Sequence, residues 1–177
     1  MKDAPEAWEW ERIQSEACPQ CGLDPARLPV GTLGANTVEA AARWREFLAS
    51  ADPGTLRRYA GPEVWTPLQY AFHVRDMLIV FGERIDLACR EDDPAVPWFD
   101  PGDDAWRVYN EAEAASAAAA IQRAADRFSL ILGSRHPNDW TRTVRRDGVD
   151  QFTVAGLGCF GLHEVHHHLL DANGRLP

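Results

Sequence analysis

The amino-acid sequence predicts an all-α fold, a four-helix bundle. Apolar residues recur every three or four positions over four long stretches, and the connections between these stretches are uneven in length. Helices with one apolar stripe bury it against each other, and four of them form a bundle. The 177 residues suffice for one core, so a single domain is expected. Within it, 1–30 would be an irregular N-terminal segment and 31–177 the bundle.

Three of the helices follow from apolar spacing and helix-stop signals. The first is expected over 32–50 or 36–50, and the Asp-Pro-Gly sequence at 52–54 ends it. The third is expected as one continuous helix over 104–133, with an alanine-rich middle that favours helix and allows close packing. The last helix is expected over 153–173.

The second helix has the clearest start signal. Thr66 is a good N-cap, Pro67 suits the first helical position, and Gln69 stands where a capping box requires it. The helix is expected to continue to about Arg90. Its three-and-four spacing places His73 on the apolar face, so that this imidazole points inward.

A short hairpin is expected before the last helix. Residues 141–144 and 149–152 have strand-like composition and flank the turn dipeptide Asp147-Gly148. Asp-Gly is a common two-residue hairpin turn, because both positions tolerate a left-handed backbone.

Composition and charge exclude several classes of function. The net charge is −9 and the cations are dispersed, which argues against nucleic acid as a partner. No apolar run approaches the ~20 residues of a membrane span, and the N-terminus has no apolar export signal. We therefore expect a cytoplasmic protein with reduced cysteines and a small-molecule substrate.

Histidines provide the main functional signal. His163 and His167 are one helical turn apart and share a face. With the inward His73, they would form a three-nitrogen metal site that leaves coordination positions open. The alternatives are a solvated histidine cluster or hydrogen-bonded core histidines. His168 lies about 100° further round the helix than His167 and needs another role. Glu164 is expected to face away from the stripe that carries His163 and His167 and to be solvated.

Two neighbours of these histidines have alternative roles. Asp76 is about one turn from His73 and would either orient a histidine ring or form a surface salt bridge. Cys159 is one turn before His163 on the same face. It would approach the metal, sense oxidation, or simply be a small core residue.

Three aromatic residues are candidates for a substrate pocket. Trp98 and Phe99 lie in the loop after the second helix, and Trp106 follows at the start of the third. They would cover one end of the bundle and line a pocket there, or they belong to the core, which is the commoner place for aromatic residues.

The N-terminal segment contains a Cys-Pro-Gln-Cys-Gly sequence. Cys18 and Cys21 have zinc-knuckle spacing, but a structural zinc site needs four ligands and the chain has no second such pair. His136 is a remote candidate partner, and a redox pair is another alternative. A reduced, packed turn is the interpretation that we favour from sequence, and Cys89 is assigned to the core or surface.

Residues 65–76 and 162–171 resemble the second-helix and last-helix signatures of DinB-like proteins. Residues 146–154 and 18–24 are similar to the actinobacterial branch of that family. The resemblance implies a four-helix bundle with a three-histidine site for zinc or nickel. By motif, its ligands are His73, His163 and His167. The chain departs from the branch at His166 and Leu170, which are not proposed ligands.

Relatives of this kind include mycothiol-dependent maleylpyruvate isomerases and S-transferases that use bacillithiol or mycothiol. The resemblance therefore implies a metal-dependent thiol transferase or thiol-assisted isomerase or hydrolase, with a low-molecular-weight thiol as a further cofactor. No catalytic residue is assigned beyond the metal site. The alternative is a non-catalytic, stress-related bundle in which the metal is structural or helps to bind a small ligand. Apolar helix faces in such bundles also make a homodimer one of the expected forms.

Overall fold

A computed structural model describes residues 10–61, 64–148 and 150–174, and most of them are helical. The helices are α1 (Leu33–Ser50), α2 (Pro53–Leu56), α3 (Pro67–Arg90), α4 (Asp103–Glu111), α5 (Ala114–Gly133) and α6 (Val154–Ala172). The strands are β1 (Ala95–Val96), β2 (Thr143–Arg146) and β3 (Asp150–Thr153). Short 3-10 turns occur at Trp10–Gln14, Pro25–Arg27, Val30–Thr32 and Pro137–Thr141.

The four long helices form the predicted bundle. Helix α1 packs on α5, α5 on α3, α3 on α6, and α6 on α1, which closes the ring. Trp44 of α1 is fully buried and donates its indole N–H to the carbonyl of Val165 in α6, at 2.8 Å. Helix α6 therefore faces α3 on one side and α1 on another. In the described part of the chain, no helix is long and apolar enough to cross a bilayer.

The predicted third helix is two helices, which corrects the sequence-based expectation of one. Ala112 and Glu113 adopt extended backbone, with ψ of 160° and 137°, and separate α4 from α5. The carbonyl of Ala112 accepts a hydrogen bond from the Arg57 guanidinium at 2.9 Å, so the break leaves it satisfied. Tyr109 of α4 stacks on Phe72 of α3 with ring centroids 5.0 Å apart. This packing redirects α4 across α3, and no Gly or Pro marks the break.

The predicted hairpin is confirmed, with strands that begin later than expected. Val144 pairs with Phe152 in antiparallel register, and Asp147 and Gly148 have φ of 50° and 72° as a tight turn requires. Val149, predicted to begin the second strand, lies outside the described residues. Strand β1, which was not predicted, pairs parallel with β2 and brings the following residues 97–99 against the hairpin.

The N-terminal segment docks on the start of α6. Residues 1–9 of the predicted irregular segment lie outside the described residues, whereas Ile13 is fully buried. The Gln14 side chain accepts from the Thr153 N–H at 3.0 Å. A Cβ at Gly156 would lie 2.1 Å from the Gln14 side-chain oxygen, so glycine permits this close approach.

The start of α3 provides a test of the fold. Gln69 N–H donates to the Thr66 hydroxyl oxygen at 3.3 Å, and that hydroxyl donates to Asn110 at 2.8 Å. We expect Thr66→Ala to lower the free energy of unfolding by about 1–2 kcal/mol, because it removes the cap from a buried helix start. Urea unfolding measures the change. Thr66→Ser keeps the oxygen and should stay within about 0.5 kcal/mol of the wild type; equal losses in both variants would exclude the cap as the cause.

Candidate metal centre

One group of potential metal ligands joins α3 to α6. His73 of α3 places Nε2 at 3.0 Å from a carboxylate oxygen of Glu164. His168 of α6 places its own Nε2 at 3.1 Å from the same oxygen. The three ligand atoms lie within 4.8 Å of one another. Glu164 and His168 are one helical turn apart, so both side chains project from one face of α6 towards His73.

Glu164 is the central and most buried member of this group. It points away from the stripe of His163 and His167, as expected, but it is only 5% exposed, so the expectation that it is solvated was wrong. Burial by itself would raise the pKa of its carboxyl. The charge and hydrogen bond of His168, together with the hydrogen bond to His73, outweigh burial and hold that pKa well below its ordinary value. The site therefore contains a buried carboxylate.

Asp171 orients His168 from the opposite side of its ring. Its carboxylate lies 2.7 Å from His168 Nδ1, which leaves Nε2 directed at Glu164. Burial would lower the pKa of His168, but the charge of Glu164 and the contacts with Asp171 raise it to about 9. A carboxylate behind a ligating histidine fixes the ring and increases its basicity in metal sites.

The three side chains fit a divalent metal. Ligand atoms about 2.1 Å from a common ion are themselves about 3.0–3.4 Å apart, as the two contacts with Glu164 are. Two imidazole nitrogens and one carboxylate oxygen form a ligand set that catalytic zinc and non-haem iron sites share. Such a set leaves coordination positions for water or substrate.

A cavity of about 220 Å³ adjoins these ligands. Its remaining walls come from seven apolar residues and two cations, namely Trp65, Met77, Phe81, Trp98, Phe99, Phe152, Phe160, Arg84 and Arg146. Trp98 is 60% exposed, so the cavity extends to the surface. His73, Glu164 and His168 thus line the same largely apolar cavity that opens at Trp98.

The structure divides the three histidines predicted as one ligand set. His163 and His167 are neighbours as expected, with ring centroids 4.7 Å apart. Their ligand atoms, however, group with Cys18 and Cys21, whereas His73 groups with Glu164 and His168. The physical reason is the phase of α6, because the pair at 163 and 167 is rotated by about 100° from the pair at 164 and 168. The three-histidine set stays a prediction, and the geometry supports the other grouping.

Asp76 belongs to a different cluster from the one predicted. It accepts a hydrogen bond from the Tyr109 hydroxyl at 2.6 Å and forms an ion pair with Arg75. Asp76 is 9% exposed, so its salt bridge with Arg75, which lies within α3, is partly buried and not on the open surface, and the Tyr109 hydrogen bond joins α3 to α4. Cys159 is buried, and burial raises the pKa of its thiol to about 11. Among the described residues it joins none of the ligand groups and packs in the core.

The three predicted pocket aromatics occupy two positions. Trp98 and Phe99 line the cavity. Trp106 lies behind its wall, where its ring centroid is 4.4 Å from that of Trp65 and 6.2 Å from that of His73. Trp65 was not a candidate from the sequence. Its ring centroid is 4.9 Å from that of His73, and it forms the cavity wall next to the three potential metal ligands.

Comparison with known proteins identifies the family. The profile of the DinB superfamily matches residues 36–172, and the chain belongs to this superfamily. A solved structure, YfiT from Bacillus subtilis, aligns with a TM-score of 0.73 at 20% sequence identity. The alignment covers 82% of this chain and 85% of YfiT, which is described as a probable metal-dependent hydrolase with an unusual four-helix bundle topology. This likeness shows a shared fold. No curated protein matches the chain significantly.

The contacts of His168 predict an alkaline limb in the stability of the metal-free protein. Since the pKa of His168 is raised from 6.5 to about 9, its stabilising contribution is fully present below pH 6.5 and is lost as pH rises through about 9. Unfolding of chelator-treated protein between pH 6 and 10 measures this loss. We expect His168→Gln to flatten the limb, whereas His136→Gln, at an exposed histidine, should leave it unchanged. A limb that persists in His168→Gln would contradict the pKa.

Proposed function

We propose that this protein is a metal-dependent enzyme acting on an anionic small molecule. His73, Glu164 and His168 would hold one divalent ion, with zinc and nickel as the first candidates. The observation that carries the proposal is the convergence of their three ligand atoms beside a cavity that extends to the surface. A non-catalytic role for this group is less well supported, because a purely structural metal is normally enclosed by four protein ligands.

A divalent ion with open positions lowers the pKa of a bound water or thiol and so supplies a nucleophile near neutral pH. The residues of the chain position the reactants. Glu164 brings negative charge to the ligand set, and Asp171 keeps the His168 ring oriented. Trp65 covers the His73 side and limits entry of bulk water. Substrate would enter along the aromatic wall that Trp98 and Phe99 contribute.

Two arginines in the cavity indicate the charge of the substrate. Arg84 is 8% exposed, and its guanidinium donates to the Pro97 carbonyl at 2.6 Å. Burial lowers the pKa of Arg84, and so does the nearby charge of Arg146. Arg146 forms an ion pair with Asp150 at 2.6 Å and lies over the Trp98 ring. Two cations in one small apolar cavity favour a carboxylate or phosphate group on the substrate, because an anion relieves their repulsion.

The nucleophile is proposed to be water or a low-molecular-weight thiol. The description of YfiT as a probable hydrolase supports water. The sequence resemblance to mycothiol- and bacillithiol-dependent enzymes supports a thiol. Assays with aromatic carboxylic esters and with electrophilic acids, each with and without mycothiol or bacillithiol, separate the two nucleophiles. Turnover without the thiol supports hydrolysis by water. Turnover that strictly requires the thiol supports transfer or isomerisation.

Replacing the ligands tests the metal assignment. We expect His73→Ala and Glu164→Gln to weaken nickel or zinc binding at this site by about 100-fold or more, because each removes a direct ligand. Nickel quenching of tryptophan fluorescence is a suitable measurement, since the Trp65 ring lies 4.9 Å from His73. His163→Ala is the matched comparison and should leave this quenching intact. The opposite pattern, with loss in His163→Ala and none in Glu164→Gln, would support the three-histidine set and contradict the grouping proposed here.

A second test concerns the anionic substrate. Benzoate should quench the cavity tryptophans on titration and benzylamine should not, because the two ligands differ chiefly in charge. We expect Arg84→Gln to weaken benzoate binding about tenfold, the loss of one charge-assisted hydrogen bond. Arg58→Gln removes the same charge from an exposed position and is the control. Equal binding of both probes, or equal effects of both variants, would contradict an anion site at Arg84.

A further inference from the structure

A second group of ligand atoms lies on another face of α6. Cys18 and Cys21 come from the N-terminal segment, and His163 and His167 come from α6. Their four ligand atoms lie within 4.8 Å of one another. Cys18 Sγ is 3.6 Å from His167 Nδ1. Cys18, His163 and His167 are 2%, 1% and 3% exposed, so the group is closed to solvent on the side of α6.

The backbone around the two cysteines forms a knuckle. The Cys18 N–H donates to the Leu23 carbonyl at 2.9 Å, and the Gly22 N–H donates to the Cys18 carbonyl at 2.9 Å. Gly22 has φ of +74°, a left-handed conformation that glycine adopts without strain. The turn points both sulfur atoms at α6. Pairs of cysteines separated by two residues supply half of the ligands in many structural zinc sites.

We propose that Cys18, Cys21, His163 and His167 form a closed, tetrahedral structural zinc site. The four residues are a complete set of two thiolates and two imidazoles, which is one of the standard structural sets. With zinc–sulfur and zinc–nitrogen bonds of about 2.3 and 2.1 Å, a tetrahedral site separates sulfur from nitrogen by about 3.6 Å. That is the distance between Cys18 and His167. The site is independent of the proposed enzymatic function.

The surroundings of the four ligands support a metal. The Asp171 carboxylate lies 3.5 Å from His167 Nε2, on the far side of the ring from Cys18, and so can orient this imidazole. Binding releases one proton from each thiol to solvent, and the two thiolates then neutralise the divalent charge, so the buried site carries no net charge.

The site would fasten the N-terminal segment to the last helix. Cys18 and His167 are 149 residues apart in the chain, and regular structure in the segment from Trp10 to Thr32 consists of short 3-10 turns. A metal clip between such distant residues closes a long loop, and structural zinc contributes its binding free energy directly to folding. The docked segment in turn covers the face of α6 next to the one that carries Glu164 and His168.

Cobalt substitution tests the site on the wild-type chain. Tag-free protein, purified under reducing conditions, is first analysed for zinc and then loaded with cobalt(II). We expect zinc as purified and, after its removal with a chelator, a cobalt spectrum with tetrahedral visible bands whose thiolate-to-metal charge-transfer absorption saturates at about one cobalt per chain. Cobalt at the group of His73, Glu164 and His168 adds no such absorption, because that group contains no thiol. Cobalt that binds without charge-transfer absorption, or protein with free thiols that is isolated without zinc and takes up no cobalt through them, would overturn the proposal.

Variants assign the spectrum to residues and separate it from the other site. Cys18→Ser and Cys21→Ser should reduce the charge-transfer absorption to about a tenth or less, since cobalt loses a thiolate and affinity. Cys89→Ser, at a cysteine outside the group, is the matched control and should keep it. His73→Ala should also keep it, which distinguishes this site from the candidate catalytic one. Charge-transfer absorption that survives both Cys18→Ser and Cys21→Ser, or disappears in Cys89→Ser, would overturn the assignment.

Discussion

The buried contact of Glu164 with His73 and His168 is the interaction on which the site depends. A carboxylate that is 5% exposed is stable only when cations or hydrogen bonds compensate its lost hydration, and the two imidazoles do this at 3.0 and 3.1 Å. One partner is on α3 and the other on α6, so the contact fixes how these helices are rotated about their own axes. Once α6 has this rotation, every other side chain of its histidine-rich turns has a defined direction.

Helix α6 thereby contributes to two groups of potential metal ligands with different chemical character. The pair Glu164 and His168 faces the cavity and needs only His73 to form a three-ligand set with open positions. The pair His163 and His167, turned by about 100°, faces the N-terminal knuckle and completes a four-ligand set. The first arrangement suits reaction at the metal and the second suits stability. Asp171 lies beside both His167 and His168 and is a physical link between the groups.

Much of the fold follows from local sequence signals, whereas the division of the ligands does not. The capping box at Thr66 and the apolar spacing of the long helices predict where helices begin and which faces are buried. The break at Ala112 has no such signal, because a tertiary contact from Arg57 compensates it. The sequence also contains two overlapping pairs at a spacing of four, His163 with His167 and Glu164 with His168. The second pair is missed when only histidines are counted as ligands. Which pair faces α3 depends on the packing of α6, and spacing alone carries no information about that.

The most direct test is a crystal structure of metal-loaded, tag-free protein with anomalous difference maps collected on both sides of the zinc edge. The account predicts one zinc peak enclosed by Cys18, Cys21, His163 and His167. It predicts a separate peak bonded to His73, Glu164 and His168 at the inner end of the cavity. A single peak bonded jointly to His73, His163 and His167, with Glu164 directed away from it, would contradict the division of α6 into two metal-binding faces.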